Sequence, residues 1–240
     1  MTSWQGAKLL FQYELRRSWL GLLITMLFFT YISIVMMPLF KELLDNKTSN
    51  NVRWVGDLLY LTILPNMGFL MNRSYLKYWQ KDPFTRKIAY WRTLPIGLTS
   101  IVISRMLQLI TVLTIVGAYF FVSQYLLLDE LRKLVTTGEY IFFALIWIGY
   151  ALAIGSTYVI FEQLLSGKKY FAVCLGYIVG FAAISLISWL TDMEIVFRTI
   201  KAAQDQEVIW PIGSLLIGSG VTVAAGLWIR SKLAVRNLMS

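Results

Sequence analysis

Apolar runs of about 20 residues recur along this chain, and a run of that length crosses roughly 30 Å of hydrocarbon as an α-helix rising 1.5 Å per residue. Short polar segments separate them. The runs are continuous rather than alternating, which excludes a transmembrane β-barrel. Charged residues make up only 15% of the 240 positions and hydrophobic residues 58%. A soluble domain carries about a quarter charged residues. The expected fold is therefore all-α: a polytopic membrane protein with six transmembrane helices in a single domain over 1–240, preceded by an N-terminal interfacial helix over 4–18. The six spans are expected at about 19–40, 55–71, 97–128, 140–161, 170–190 and 209–229. The first run is too long for the core of a signal peptide and no cleavage signal follows it, so it is expected to be retained.

Several kinds of chemistry are excluded by residue type. There is no histidine, which removes Ser-His catalysis, His-ligated metals and His proton relays. Cys174 is the single cysteine, so no internal disulfide can form. No GxxxxGK[ST] occurs, and Gly167-Lys168 is no remnant of one, because position 169 is Lys. No pair of carboxylates sits in mid-span. Asp57, Glu139 and Glu162 all fall near span ends. The chain is expected to be no enzyme and to carry no cofactor or metal.

The polar segment over 72–95, NRSYLKYWQKDPFTRKIAYWRTLP, stands apart. It holds Arg73, Lys77, Lys81, Arg86, Lys87 and Arg92 against Asp82, interleaved with Tyr75, Tyr78, Trp79, Phe84, Tyr90 and Trp91. Asp82-Pro83 reads as a turn, and Phe84 to Arg92 as one helical unit. A basic, aromatic loop between two spans suits a membrane surface. Two readings stay open: a loop that only sets topology on anionic lipid, and a handle for a partner.

Smaller features lie within the spans. Pro65 predicts a bend in the second, and Asn66 beside it either bonds the freed backbone or lines a pathway. Gly176 and Gly180 form a GxxxG that suits close helix packing, and Gly213, Gly218, Gly220 and Gly226 make the last span a second candidate. Arg105 is expected near the headgroups, since an arginine at bilayer centre costs at least about 2.5–3.5 kcal/mol.

Orientation follows from the basic residues. An even number of spans puts both termini on one side. That side holds Lys8, Arg16, Arg17, the six basic residues of the loop, Arg105, Lys168, Lys169, Arg230, Lys232 and Arg236, which is 15 of 22. Both termini are expected in the cytoplasm.

FQYELRRSW at Phe11–Trp19, IAYWRTLPIGLTSIVISRML at Ile88–Leu107 and the order of six spans over the whole chain resemble the membrane subunits of type-2 ABC exporters. In the second stretch Arg92, Leu94, Pro95 and Arg105 match an Arg-x-Leu-Pro-like turn followed by a helix with a basic inner end. The resemblance implies a permease in a bacterial plasma membrane that pairs with a second permease, a copy or a relative. A separate ATPase subunit, carrying ATP and magnesium, would dock on the coupling loop through Lys77, Trp79, Lys81, Asp82, Phe84, Arg86, Lys87, Trp91 and Arg92. A path between paired permeases would be lined partly by spans 2 and 5, with an antimicrobial peptide or a drug as cargo. The alternative is a stand-alone membrane immunity or binding protein that works without ATP. Nucleic acid is not an expected partner, because the positive charge sits at span ends.

Overall fold

A computed structural model describes residues 2–44, 50–71 and 82–236. Eleven helices are described: α1 (Ser3–Arg17), α2 (Trp19–Val35), α3 (Met37–Leu44), α4 (Asn50–Ile63), α5 (Pro83–Thr93), α6 (Leu98–Leu127), α7 (Asp129–Leu134), α8 (Thr137–Leu164), α9 (Gly167–Leu190), α10 (Ile195–Gln204) and α11 (Ile209–Val235). A 3-10 turn, Leu64–Gly68, follows α4. No strand occurs among the described residues. Five helical stretches are long and apolar enough to cross a membrane: Trp19–Lys41, α6, α8, α9 and α11. The protein is a multi-pass membrane protein of helical class.

The stretch expected as the second span differs from the other five. α4 ends at Ile63, and the backbone tightens into the 3-10 turn and extends at Phe69. Pro65 is the cause: it has no N–H for Leu61 O and its ring crowds that carbonyl. The expected bend is thus a break. The freed Leu61 carbonyl accepts from the Tyr150 hydroxyl of α8 at 2.8 Å. Past the break, Met71 N donates to Thr25 Oγ1 of α2 at 2.9 Å. Leu64, Pro65, Met67 and Gly68 are buried against α6 and α8. Irregular backbone is tolerated in an apolar setting when protein covers it and satisfies its polar groups.

α8 is the centre of the bundle. Its partner along most of its length is α11, and small residues set the approach. A Cβ on Gly218 would stand 2.5 Å from Gly149 O, and a Cβ on Gly149 would collide with Ser214. Ser214 Oγ donates to Ile146 O at 2.6 Å, and the Ser156 and Thr222 hydroxyls lie 2.7 Å apart. Ser214, Gly218 and Thr222 recur every fourth residue, so one face of α11 is thin enough for backbone contact. Gly176 and Gly180 do not act this way. Both are exposed on α9, and a Cβ on either meets nothing within 4 Å. The expected close packing within the chain therefore lies at Gly149 and Gly218.

An aromatic cluster fills the other end of the bundle. Tyr60, Phe143 and Trp147 meet at edges and tilts, and Phe121 and Tyr140 extend the cluster. Gln124 Oε1 accepts from Tyr60 at 3.2 Å and Tyr140 at 2.8 Å, so the polar tips are satisfied inside an apolar core.

α1 forms over the expected residues, started by a capping box between Thr2 and Gln5. Its buried face is Gly6, Ala7, Leu10 and Glu14, set against the start of α6. Phe11 and Leu15 are half-buried, and Trp4 is exposed.

Candidate functional site

α5 carries the second half of the basic loop. Asp82 caps it, accepting from Thr85 N at 3.1 Å and from Thr85 Oγ1 at 2.7 Å, and Pro83 occupies the first turn. Phe84, Ile88 and Trp91, spaced four and three apart, are buried as one stripe. Phe84 meets Tyr170 of α9 edge to face with centroids 5.4 Å apart. Arg86, Tyr90 and Thr93 form the opposite stripe and are exposed.

Polar contacts hold α5 to the ends of the long helices. Lys87 pairs with Glu14 of α1 and lies over the Trp91 ring, 4.6 Å from its centroid. Arg92 donates to the carbonyl oxygens of Leu233 and Arg236 at the end of α11. Arg236 in turn donates to Gln163 O and Leu165 O at the end of α8, and to Thr85 Oγ1 of α5 at 2.7 Å. Each guanidinium thus supplies donors to carbonyls that a helix leaves unpaired at its C-terminus, where the helix dipole also favours a cation. Burial draws the Arg236 pKa below its usual value, Asp82 opposes the fall and Arg92 adds to it.

The residues expected to dock an ATPase divide accordingly. Phe84, Trp91 and Arg92 face the bundle, Lys87 bridges to α1, Asp82 serves as the cap, and Arg86 is open. Lys77, Trp79 and Lys81 lie outside the described residues.

Near α5, Arg105 of α6 is buried. Its Nε lies 3.1 Å from Glu162 Oε1 and its Nη2 2.5 Å from Glu162 Oε2, and the guanidinium lies over Phe69, 5.1 Å from the ring centroid. Arg105 is about 10 Å along α6 at 1.5 Å per residue. A fork-to-carboxylate pair makes such a charge tolerable. Both residues lie near expected span ends in the sequence, where nothing shows that they meet.

A cleft separates α2 from α9 on the face where the 3-10 turn lies. It has a volume of about 380 Å³ and is bordered by Thr25, Phe28, Asn66, Phe69, Tyr170 and Cys174. Asn66 is exposed there, and its Nδ2 donates to Thr62 O at 2.7 Å. Asn66 thus bonds backbone one turn earlier, at Thr62 rather than at the Leu61 carbonyl that Pro65 frees, and it borders the cleft.

Among the described residues no group of three or more His, Cys, Asp or Glu is arranged to hold a metal. Compared with protein-family models, with curated proteins and with solved structures, the chain matches none.

Proposed function

We propose that this protein is the membrane-spanning permease subunit of an ATP-driven exporter, coupled through α5 to a separate ATPase subunit. One observation carries the reading. α5 is a short helix with a basic and aromatic outer stripe, Arg86 and Tyr90, and an inner side fixed to α1, α8, α9 and α11. A partner that grips the outer stripe moves the ends of those helices, because the contacts between them are ionic, aromatic and hydrogen-bonded rather than a loose linker. The type-2 ABC exporter likeness of Phe11–Trp19 and Ile88–Leu107 points the same way.

In this reading the sixth crossing is made by α4, the 3-10 turn and the extended residues to Met71. α1 lies along the inner interface, and both termini face the cytoplasm of a bacterial cell. Two permeases, identical or related, face each other across the α2–α9 cleft, and the cargo, an antimicrobial peptide or a drug, passes between them by Asn66. ATP and magnesium belong to the ATPase.

The test is co-purification from native membranes with mass identification of the bound chains. An ATPase subunit is expected with the wild type and lost with Arg86→Glu plus Tyr90→Ala, while membrane insertion is unchanged. Full ATPase stoichiometry in that variant would overturn the role of α5. A chain that confers peptide resistance with no ATPase bound is a stand-alone immunity protein instead.

A further inference from the structure

A second cavity, of about 600 Å³, lies between α8, α10 and the first turns of α11. Its walls are Ile146 and Ala153 of α8, Ile195 of α10, and Ile209 and Ile217 of α11. Glycine shapes it: Gly149 brings α11 close to α8, and Gly213 leaves its own position open. The polar atoms around it are already used. Trp147 Nε1 donates to Thr199 Oγ1 at 3.2 Å, Thr199 Oγ1 donates to Val196 O at 2.8 Å, Ser214 Oγ donates to Ile146 O, and the Tyr150 hydroxyl donates to Leu61 O. Water needs two or more polar partners to settle in such a space, and these walls offer it few.

The cavity is not closed. It opens beside Ile209 and Ile217, which are exposed and continuous with Leu216 and Val223 along α11. That surface belongs to a helix long and apolar enough to cross a membrane. Whatever fills the groove therefore comes from the hydrocarbon that covers α11. Trp210 stands at the rim with its Nε1 bonded to Glu207, an amphipathic ring at the first turn of a span, where the interface of a bilayer is expected. The volume lies within the range of small-molecule sites.

We infer that the α8–α10–α11 groove is a binding site for one acyl chain of a membrane phospholipid. The site does not depend on an ATPase or on the permease reading. Its test uses the full chain in vesicles of phosphatidylcholine and phosphatidylglycerol containing phosphatidylcholine with a photoreactive diazirine acyl chain. After irradiation and digestion, adducts are mapped by mass spectrometry. Adducts on Ile146, Tyr150 and Ile217 are expected to exceed those on Leu27 of α2 and Val179 of α9 several-fold. Those two are each 69% exposed and make ordinary annular references.

Gly213→Leu fills the groove, since a Cβ there meets nothing within 4 Å. It is expected to lower the groove adducts several-fold and leave Leu27 and Val179 unchanged. Should Gly213→Leu fail to give a well-folded peak on sizing, Ala153→Leu narrows the same groove from α8 and carries the same expectation. Uniform labelling overturns the site, as does labelling that the filling variants leave unaltered. Groove residues without adducts, the result if a second copy covers them, overturn it too.

Discussion

The N–H groups of Ile195 and Val196 open α10 and both point at Asp57, a carboxylate 138 residues upstream of the first, at 3.0 and 2.8 Å. Ser188 adds a third donor at 2.6 Å. The local cap position, Glu194, is left-handed and makes no side-chain capping bond, so α4 supplies what the chain around α10 does not. Asp57→Ala removes the acceptor for three donors in a buried place. It is expected to cost roughly 3 kcal/mol, read as a lower unfolding midpoint in detergent and as faster proteolysis near Ile195. Asp57→Asn keeps one acceptor oxygen and is expected to lose less. Glu162→Ala leaves the Arg105 guanidinium buried without its carboxylate, and breaking such a pair costs about 3–5 kcal/mol. Neither pairing was legible in the sequence. A local rule finds Glu139, because Thr136 stands three residues before it and the two form a capping box. No local rule connects Asp57 to Ile195, or Arg105 to Glu162, because the fold alone brings them together.

Helices, by contrast, were largely legible, because an apolar run of bilayer length has one stable answer in a membrane. Four of the five that met the expectation are uninterrupted, and the first turns at Met36, between α2 and α3. The sixth was marked by its own proline, but the sequence could not say whether Pro65 would bend the helix or end it. The carbonyl that Pro65 frees is met by Tyr150 of α8, a contact that only the fold creates. Tyr150→Phe strands this carbonyl and is expected to destabilise the bundle by about 1–3 kcal/mol, measurable by the same unfolding midpoint. Glycine spacing was a weaker guide. GxxxG picks out Gly176 and Gly180, whereas the close approach sets Gly149 of α8 against Ser214 and Gly218 of α11, and of these only Gly218 was among the glycine candidates. Gly149→Leu must push α11 away and is expected to yield aggregated or misfolded protein on sizing. Gly176→Leu adds bulk to an open surface and is expected to keep the fold. The candidate handle was half legible: the loop's charge and aromatic content drew attention to α5, but which residues face inward required the packing. Phe84 and Trp91 anchor the helix, so truncating either tests folding before docking.

At the scale of the whole molecule, the outer faces of α2, α9 and α11 are apolar and exposed among the described residues. Lipid covers all three in a monomer. In a paired permease the side between α2 and α9 meets a second subunit, and the broken helix is the reason. Asn66 and the 3-10 turn are exposed between α2 and α9, and a polar amide facing hydrocarbon is costly unless another protein surface or a water-filled path lies opposite. Cys174 borders the same cleft and is the chain's single cysteine, so the native protein carries its own reporter. If two identical copies face each other there, a short bis-maleimide added to membranes is expected to give a covalent dimer that Cys174→Ser abolishes. Cargo in the path is expected to slow that reaction. A heterodimer would give no such band, but maleimide labelling of Cys174 would still be slowed by the related subunit and by cargo. Labelling at the same rate in the lone chain and in the assembled complex would place the cleft against lipid. It would also move the path to another face. Asn66→Leu separates the amide's two tasks, because leucine packs against α2 and α9 but cannot donate to Thr62 O or meet a polar cargo. Export that falls while the unfolding midpoint holds would assign Asn66 to the path, and the opposite pattern would assign it to the break.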